Sequence, residues 1–317
     1  MSEARLLGVL VTYRRPDDLS LMLKRLAEQD VPLARLAVVD NDPTAEGADI
    51  VRRCGDTRTS IEYLPAPENL GPAGGIALGM ERVLPQAGAE DWVVLLDDDD
   101  PPESPSALRE LLAFGQEMRR ADGRTGGVGL AGARMDWRRG RLVRPADEEL
   151  TGPVAIDYIG GNQLPLYLAA AAQQVGTFAA PLFFGFDDLE YGLRLREAGY
   201  RLYAPGPRWL RQRERLGRTG LVVRPSLRLD DPTWRRYYSL RNTIFILRRF
   251  GNTATAVRVT VVQGLMKPVA NLARSPGGAW RHLRLNVVAC RDGWTGRLGR
   301  TLDPEAKPAV EAPPERP

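Results

Sequence analysis

Short apolar runs alternate with helix-period segments over the first 120 residues, and the links between them are short. RLLGVLVTY (5–13) reads as a buried strand. RPDDLSLMLKRLAEQ (15–29) opens with Pro16 and two acids, then repeats apolar residues at Leu19, Met22, Leu23 and Leu26, the spacing of one helix face. LARLAVVDND (33–42), IEYLP (61–65) and DWVVLLD (91–97) read as strands. NLGPAGGIALGMERVL (69–84) is a Gly-rich turn running into a helix, and SPSALRELLAFGQEMRR (104–120) is another helix. This alternation predicts an α/β fold: a mostly parallel central sheet with flanking helices. Such sheets bind ligands beyond the carboxyl ends of their strands. Polar clusters fall at those ends, at Thr12–Arg15, Asp40–Asp42 and Asp97–Asp100.

The pattern changes after about residue 125. GVGLAGARMDWRRGRLVRPAD suggests a strand, a turn at RRG and a second strand, and VAIDYIGG (154–161) a further strand. LPLYLAAAAQQVG (164–176) is read as a helix, as is GFDDLEYGLRLREAGY (185–200), which has Asp187 and Asp188 near its start. TWRRYYSLRNTIFILRRFG (233–251) is read as an amphipathic helix. The expected organisation is a catalytic domain over 1–230, halved near 125, then a basic helical extension over 231–302. The Pro- and charge-rich tail 303–317 is expected to be disordered. Charge divides along the same line. Residues 1–207 carry a net −10, whereas residues 208–300 carry 20 Lys+Arg against 4 Asp+Glu, a net +16. A basic part of this kind fits a nucleotide or lipid phosphate, or is simply solvated. Few aromatics interleave with the cations, so nucleic acid is not expected. Cys54 and Cys290 form neither a CxxC pair nor a disulfide framework. The opening residues read as a strand and not as a secretory signal. No apolar run approaches the roughly 20 residues of a membrane span. A cytoplasmic protein is expected, with peripheral contact at the inner membrane face and homo-oligomerisation left open.

DWVVLLDDDD (91–100) places four carboxylates side by side after an apolar strand. Mutual repulsion disfavours that arrangement unless a cation shares the site. Mg²⁺ and Mn²⁺ take oxygen ligands, commonly one or two carboxylates plus substrate phosphates. Asp97 and Asp99 alternate, so both can reach one side of the turning chain while Asp98 reaches the other. The competing explanation is an acidic turn ahead of the next helix, aided by Pro101 and Pro102.

Six segments, in order, resemble family 2 glycosyltransferases of the nucleotide-sugar-binding GT-A fold. They are VLVTYRRPDDL, LAVVDNDPT, ENLGPAGGIALGM, WVVLLDDDDPP, PLFFGFDDLEYGLRLREAGY and YYSLRN, spread over roughly residues 5 to 250. Within the family the likeness is to galactofuranosyl- and rhamnosyltransferase-like members. The resemblance implies a Rossmann-like sheet and inverting transfer from a UDP- or dTDP-sugar. The acceptor is a hydroxyl of a glycan, glycolipid or small metabolite. It implies that Thr12, Tyr13 and Asp40 hold base and ribose, with Arg14 beside them. Asn69, Gly71, Gly74 and Gly75 match the turn beside the nucleotide, with helix packing as the alternative for the glycines. Asp97, Asp98 and Asp99 match the metal and diphosphate segment, with Mg²⁺ or Mn²⁺ as the ion, and Arg241 is expected on diphosphate. Asp188 matches the catalytic base, with Asp187 beside it and Glu190 one helical step away. The alternative for the acidic pair is helix-dipole matching.

Two departures stand out. The usual Asn after VTY is Arg14, which either meets a phosphate or is solvated. The histidine that relatives often place after the acidic helix is replaced by Leu210, and the only histidine, His282, reads as a surface residue. Metal binding then rests on the aspartates and diphosphate, or arginines such as Arg211 and Arg213 take the ion's place at the leaving group. Residues between 133 and 165, including Trp137 and Asn162, are expected to choose the acceptor. Two rival functions remain: a sugar-nucleotide nucleotidyltransferase, disfavoured because TYRRPDD lacks a Gly-rich loop, and a non-catalytic nucleotide-sugar-binding protein.

Overall fold

The computed structural model describes residues 4–42, 46–54, 58–220, 233–272 and 276–303. The first part alternates as the sequence predicts, and adds a short helix over 47–54 that the sequence reading leaves out. Strand β1 (Leu6–Thr12) leads to α1 (Pro16–Ala27), β2 (Arg35–Asp40) to α2 (Gly47–Cys54), and β3 (Ser60–Pro65) to α3 (Gly71–Val83). Strand β4 (Trp92–Asp97) leads to α4 (Ala107–Ala121). Next come β5 (Thr125–Val128), β6 (Arg134–Asp136), β7 (Arg141–Val143), β8 (Pro153–Ile156), β9 (Leu166–Leu168) and α5 (Ala169–Val175). Helix α6 (Asp187–Glu197), β10 (Arg201–Pro205) and α7 (Gly206–Arg215) close this part. The C-terminal part is helical: α8 (Thr233–Arg249), α9 (Thr253–Val259), a π-helical segment (Thr260–Met266), α10 (Lys267–Leu272) and α11 (Pro276–Thr295).

Eight strands form one sheet in the order β3-β2-β1-β4-β9-β5-β10-β8. Strands β3, β2, β1 and β4 run parallel, as do β5 and β10. Strand β9 is antiparallel to both its neighbours and joins the two parallel blocks, and β8 is antiparallel at the edge. Every residue of β1 is buried, as expected for a strand covered on both faces. The expected hairpin across RRG is the separate pair β6–β7.

Two expectations need correction. Residues 164–176 are not one helix, because Leu166–Leu168 pair with β4 and β5 before α5 begins. Helix α8 is not an amphipathic surface helix: Tyr237, Tyr238, Leu240, Arg241, Asn242 and Ile244 are all buried, so it is covered nearly all round. It lies in a second core, shared with Met135, Phe183, Leu189 and Leu193 of the first part and Ala289 and Cys290 of α11. Of the expected disordered tail, residues 304–317 lie outside the described residues.

Candidate active site

The parallel register brings the predicted polar clusters together. Thr12 stands opposite Asp40, and Val11 opposite Asp97, so β1, β2 and β4 end at one edge. There Thr12 Oγ1 donates to Asp98 Oδ2 at 2.7 Å, and Tyr13 N donates to the same oxygen at 3.4 Å. Arg15 reaches Asp98 Oδ1 at 3.2 Å and also pairs with Asp99. The Arg14 guanidinium stacks over the Tyr13 ring, 5.0 Å from its centroid, and approaches Asp42 at 3.8 Å. Arg14 adopts a left-handed backbone, φ 54°. Tyr63 donates its hydroxyl to Asp40 Oδ2 at 2.7 Å, and Asp42 N donates to Asp40 Oδ1 at 2.9 Å. Thr12, Arg14, Asp40 and Asp42 line one small cleft. Asp99 pairs with Arg15 alongside Asp98, and its charge also acts on Asp97.

The Gly-rich turn adjoins this edge. Asn69 Oδ1 accepts from Gly71 N at 2.9 Å, and Asn41, which sequence reasoning passed over, donates to Gly71 O and accepts from Leu70 N. Gly71 needs its φ of 68°, and a Cβ there would lie 2.3 Å from Phe183 O. Gly74 and Gly75 serve packing: Cβ atoms there would collide with Leu70 and Val11, at 2.7 Å each. The helix-packing alternative accounts for these two.

A cavity of about 260 Å³ lies beside the end of β4, and Asp97, Asp187, Asp188, Tyr158, Gly161 and Ser239 are on its wall. The two acidic groups, some 90 residues apart in sequence, thus converge. Gly161 makes room for Asp97, since a Cβ there would sit 2.5 Å from Asp97 Oδ2. Among the described residues no hydrogen bond or ion pair reaches the Asp97 carboxyl. Burial first, then the charges of Asp99, Asp187 and Asp98, push its pKa up to about 7. Burial also raises Asp187 to about 6, against opposing backbone N–H donors. Asp188 is raised well above the carboxylate range by burial and by Asp187, while hydrogen bonds from Leu189 N and the Tyr158 hydroxyl work the other way. Tyr158, at the end of an unremarkable apolar run, was not singled out from the sequence. It also borders a neighbouring cavity that includes Asn162. Glu190 is set apart, paired with Arg194 at 2.9 Å and Arg249 at 3.4 Å.

The backbone carrying the acidic pair is strained. Phe183 (φ 62°, ψ −62°), Gly185 (φ 79°) and Phe186 (φ 62°, ψ 11°) all have positive φ, and a non-glycine residue in such a region costs of order 1–3 kcal/mol. Helix α8 supplies the restraint. Asn242 Nδ2 donates to Leu182 O at 3.0 Å, Phe184 O at 3.0 Å and Gly185 O at 2.8 Å. Arg241 donates to Leu182 O at 2.8 Å and to Gly299 O at 2.8 Å, and it lies over the Tyr238 ring. The expected diphosphate contact of Arg241 gives way to this structural one, because the residue is fully buried and its donors are engaged. Arg213 is buried and bonded through Nη1 to Pro145 O and Asp147, and it borders the cavity that includes Asn162. Trp137 accepts from Asn252 and Thr255 through its carbonyl and packs edge-on against Phe250.

Comparison with known proteins bears on the family and the fold. Residues 9–164 match the family Glycosyl transferase family 2. Galactofuranosyltransferase GlfT1 of Mycobacterium tuberculosis (strain CDC 1551 / Oshkosh) is 27% identical over 310 residues, covering 90% of this chain and 95% of the relative. The protein of that name from Mycolicibacterium smegmatis is 32% identical over 209 residues, 61% of this chain and 65% of the relative. Among solved structures, the mannosyltransferase PcManGT from Pyrobaculum calidifontis, in complex with GDP-Man and Mn²⁺, superimposes with a TM-score of 0.53 at 18% identity. That match covers 94% of this chain and 89% of PcManGT. The sheet, its polar edge and these likenesses lead to one conclusion: residues 9–164 match the glycosyl transferase family 2 domain, on a chain with the GT-A fold of glycosyltransferases.

Proposed function

We propose that the protein transfers a sugar from a UDP- or dTDP-sugar to an acceptor hydroxyl with inversion, and that galactofuranose is the first donor sugar to test. The carrying observation is the convergence of Asp97 with Asp187 and Asp188 on one cavity. Asp188 takes the proton of the acceptor hydroxyl, whose oxygen forms the new bond to the anomeric carbon. The bond from that carbon to the donor phosphate oxygen breaks on the opposite face, and the nucleoside diphosphate leaves with the electron pair. Tyr158 and Leu189 N orient the base through their hydrogen bonds to it. Burial first, and then like-charge repulsion from Asp187, keep the proton affinity of Asp188 high. Thr12, Tyr13, Arg14 and Asp40 form the nucleotide end of the site, and the Asn69–Gly71 turn flanks it.

Asp97 fits a divalent cation, because it is a carboxylate facing a cavity with no cationic partner among the described residues. Among those residues no group of three or more His, Cys, Asp or Glu could hold a metal ion by itself. Asp97 and diphosphate oxygens would hold it together, a common arrangement for Mg²⁺. When bound, the ion supplies positive charge to the leaving diphosphate. Asp98 and Asp99 are committed to Arg15 and fix the end of β1 against that of β4.

The test is turnover with a panel of nucleotide sugars, UDP-galactofuranose first, together with Asp188→Asn. The expected outcome is transfer that falls about 10²–10⁴-fold in the variant, with donor affinity retained. Wild-type protein that neither binds nor turns over any nucleotide sugar would reject the reading. Unchanged transfer in the variant would remove Asp188 from the base role.

A further inference from the structure

We propose that the outward side of the C-terminal helical hairpin docks the protein on an anionic lipid surface. Nine of the eleven large hydrophobic side chains that are exposed among the described residues lie between Val257 and Val288. On the rod formed by α9, the π-helical segment and α10, Val257, Val261, Met266 and Val269 recur every three to five residues, which aligns them along one side. Helix α11 adds Trp280, 58% exposed, and Val288. The inner side of the hairpin is already satisfied. Gly264 packs against Cys290 Sγ, Asn286 Nδ2 donates to Gln263 O and Gly264 O, and Trp294 Nε1 donates to Thr260 Oγ1 at 2.9 Å. Among the described residues the outer apolar side chains stay exposed, and exposed apolar surface on this scale marks an interaction face.

Charge selects the occupant. Residues 253–291 contain six Lys+Arg and no Asp or Glu. Of these, Arg258, Lys267, Arg284 and Arg291 are exposed beside the apolar residues. The one acid that follows closely, Asp292, is buried and accepts from the Tyr237 hydroxyl at 2.5 Å. A second copy docked through this face by a two-fold axis would set cations against cations. An anionic lipid surface meets both features, phosphate for the cations and the acyl boundary for valine, methionine and tryptophan. Among the described residues no helix is long and apolar enough to cross a membrane, so the hairpin lies on the surface. Within the basic second part, this puts the membrane contact on α9–α11 and not on the buried helix α8. This proposal stands apart from the sugar-transfer reading.

The experiment is sedimentation of the full chain with phosphatidylcholine vesicles and with vesicles that also carry phosphatidylglycerol, at low and high salt. Expected is pelleting with the anionic vesicles only, weakened by salt. The double variant Lys267→Glu/Arg284→Glu and the double variant Met266→Asp/Trp280→Ser should each lower the partition coefficient on the order of tenfold and keep the wild-type melting temperature. A chain that stays in the supernatant with anionic vesicles overturns the proposal, as do variants that bind like wild type. A dimer in light scattering that Met266→Asp dissolves, without vesicle binding, assigns the face to a second copy instead.

Discussion

Asp97 brings a third carboxylate to a cavity wall that already holds Asp187 and Asp188. Its pKa of about 7 means that the folded chain keeps a proton there which the unfolded chain, with an ordinary carboxylate, has lost. Between about pH 4 and 7 the folded state therefore binds more protons at this site, and the stability it contributes is lost as pH rises through that window. Asp97→Asn removes the penalty while keeping the shape. The variant should be more stable than wild type by roughly 2 kcal/mol at about pH 7.5 once solvent screening is allowed for. Near pH 4 the two should converge, and thermal unfolding at both pH values checks this. The same replacement should abolish any stabilisation of the wild type by Mn²⁺ plus a nucleoside diphosphate.

The segment before α6 and the helix α8 act as a pair. Asn242 has two N–H groups for three carbonyls, all in a stretch whose backbone would otherwise relax from its positive φ angles. Asn242→Ala should cost about 2–4 kcal/mol by leaving buried carbonyls unpaired. It should also lower kcat on the order of 10²-fold by letting Asp188 drift, with donor KM changed by less than about threefold. Steady-state kinetics beside a denaturant melt separates the two effects. This pair marks how far sequence reasoning reached. YYSLRN resembles a later segment of the family, and the sequence reading puts Arg241 on phosphate, because whether an arginine faces ligand or core depends on packing that no local pattern encodes. Leu166–Leu168 were read as helix for a related reason. Three apolar residues have no periodicity of their own, and only pairing with β4 and β5 makes them a strand. The elements with strong local signals, β1, α1, β2, β3, α3, β4, α4 and α6, are legible, whereas the short helix α2 is not. The strand-end clusters at Thr12, Asp40 and Asp97 follow from the topology of an open parallel sheet, whereas Asp188, in the first turn of α6, is pointed to only by the family resemblance. Tyr158 and Asn41 are not legible, since one polar residue beside a strand says nothing of its partner.

At the scale of the whole molecule, the acidic first part and the basic second part share a core and are not two independent bodies. Phe183, Leu189, Leu193 and Met135 bury themselves against α8, α9 and α11. Ending the chain before Thr233 would expose all four, at about 1.5–3 kcal/mol each, a loss comparable to the 5–15 kcal/mol that holds a typical domain folded. Such a truncation should lack a cooperative thermal transition by circular dichroism, whereas the full chain should unfold in one step. Strand β9 has a different consequence. Because it is hydrogen-bonded on one side to β4 and on the other to β5, no cut between the halves leaves both with intact edges. Anyone grafting a relative's acceptor specificity onto this scaffold should exchange the loops that rim the cavity and leave Leu166–Leu168 native, since that three-residue splice is common property of both blocks.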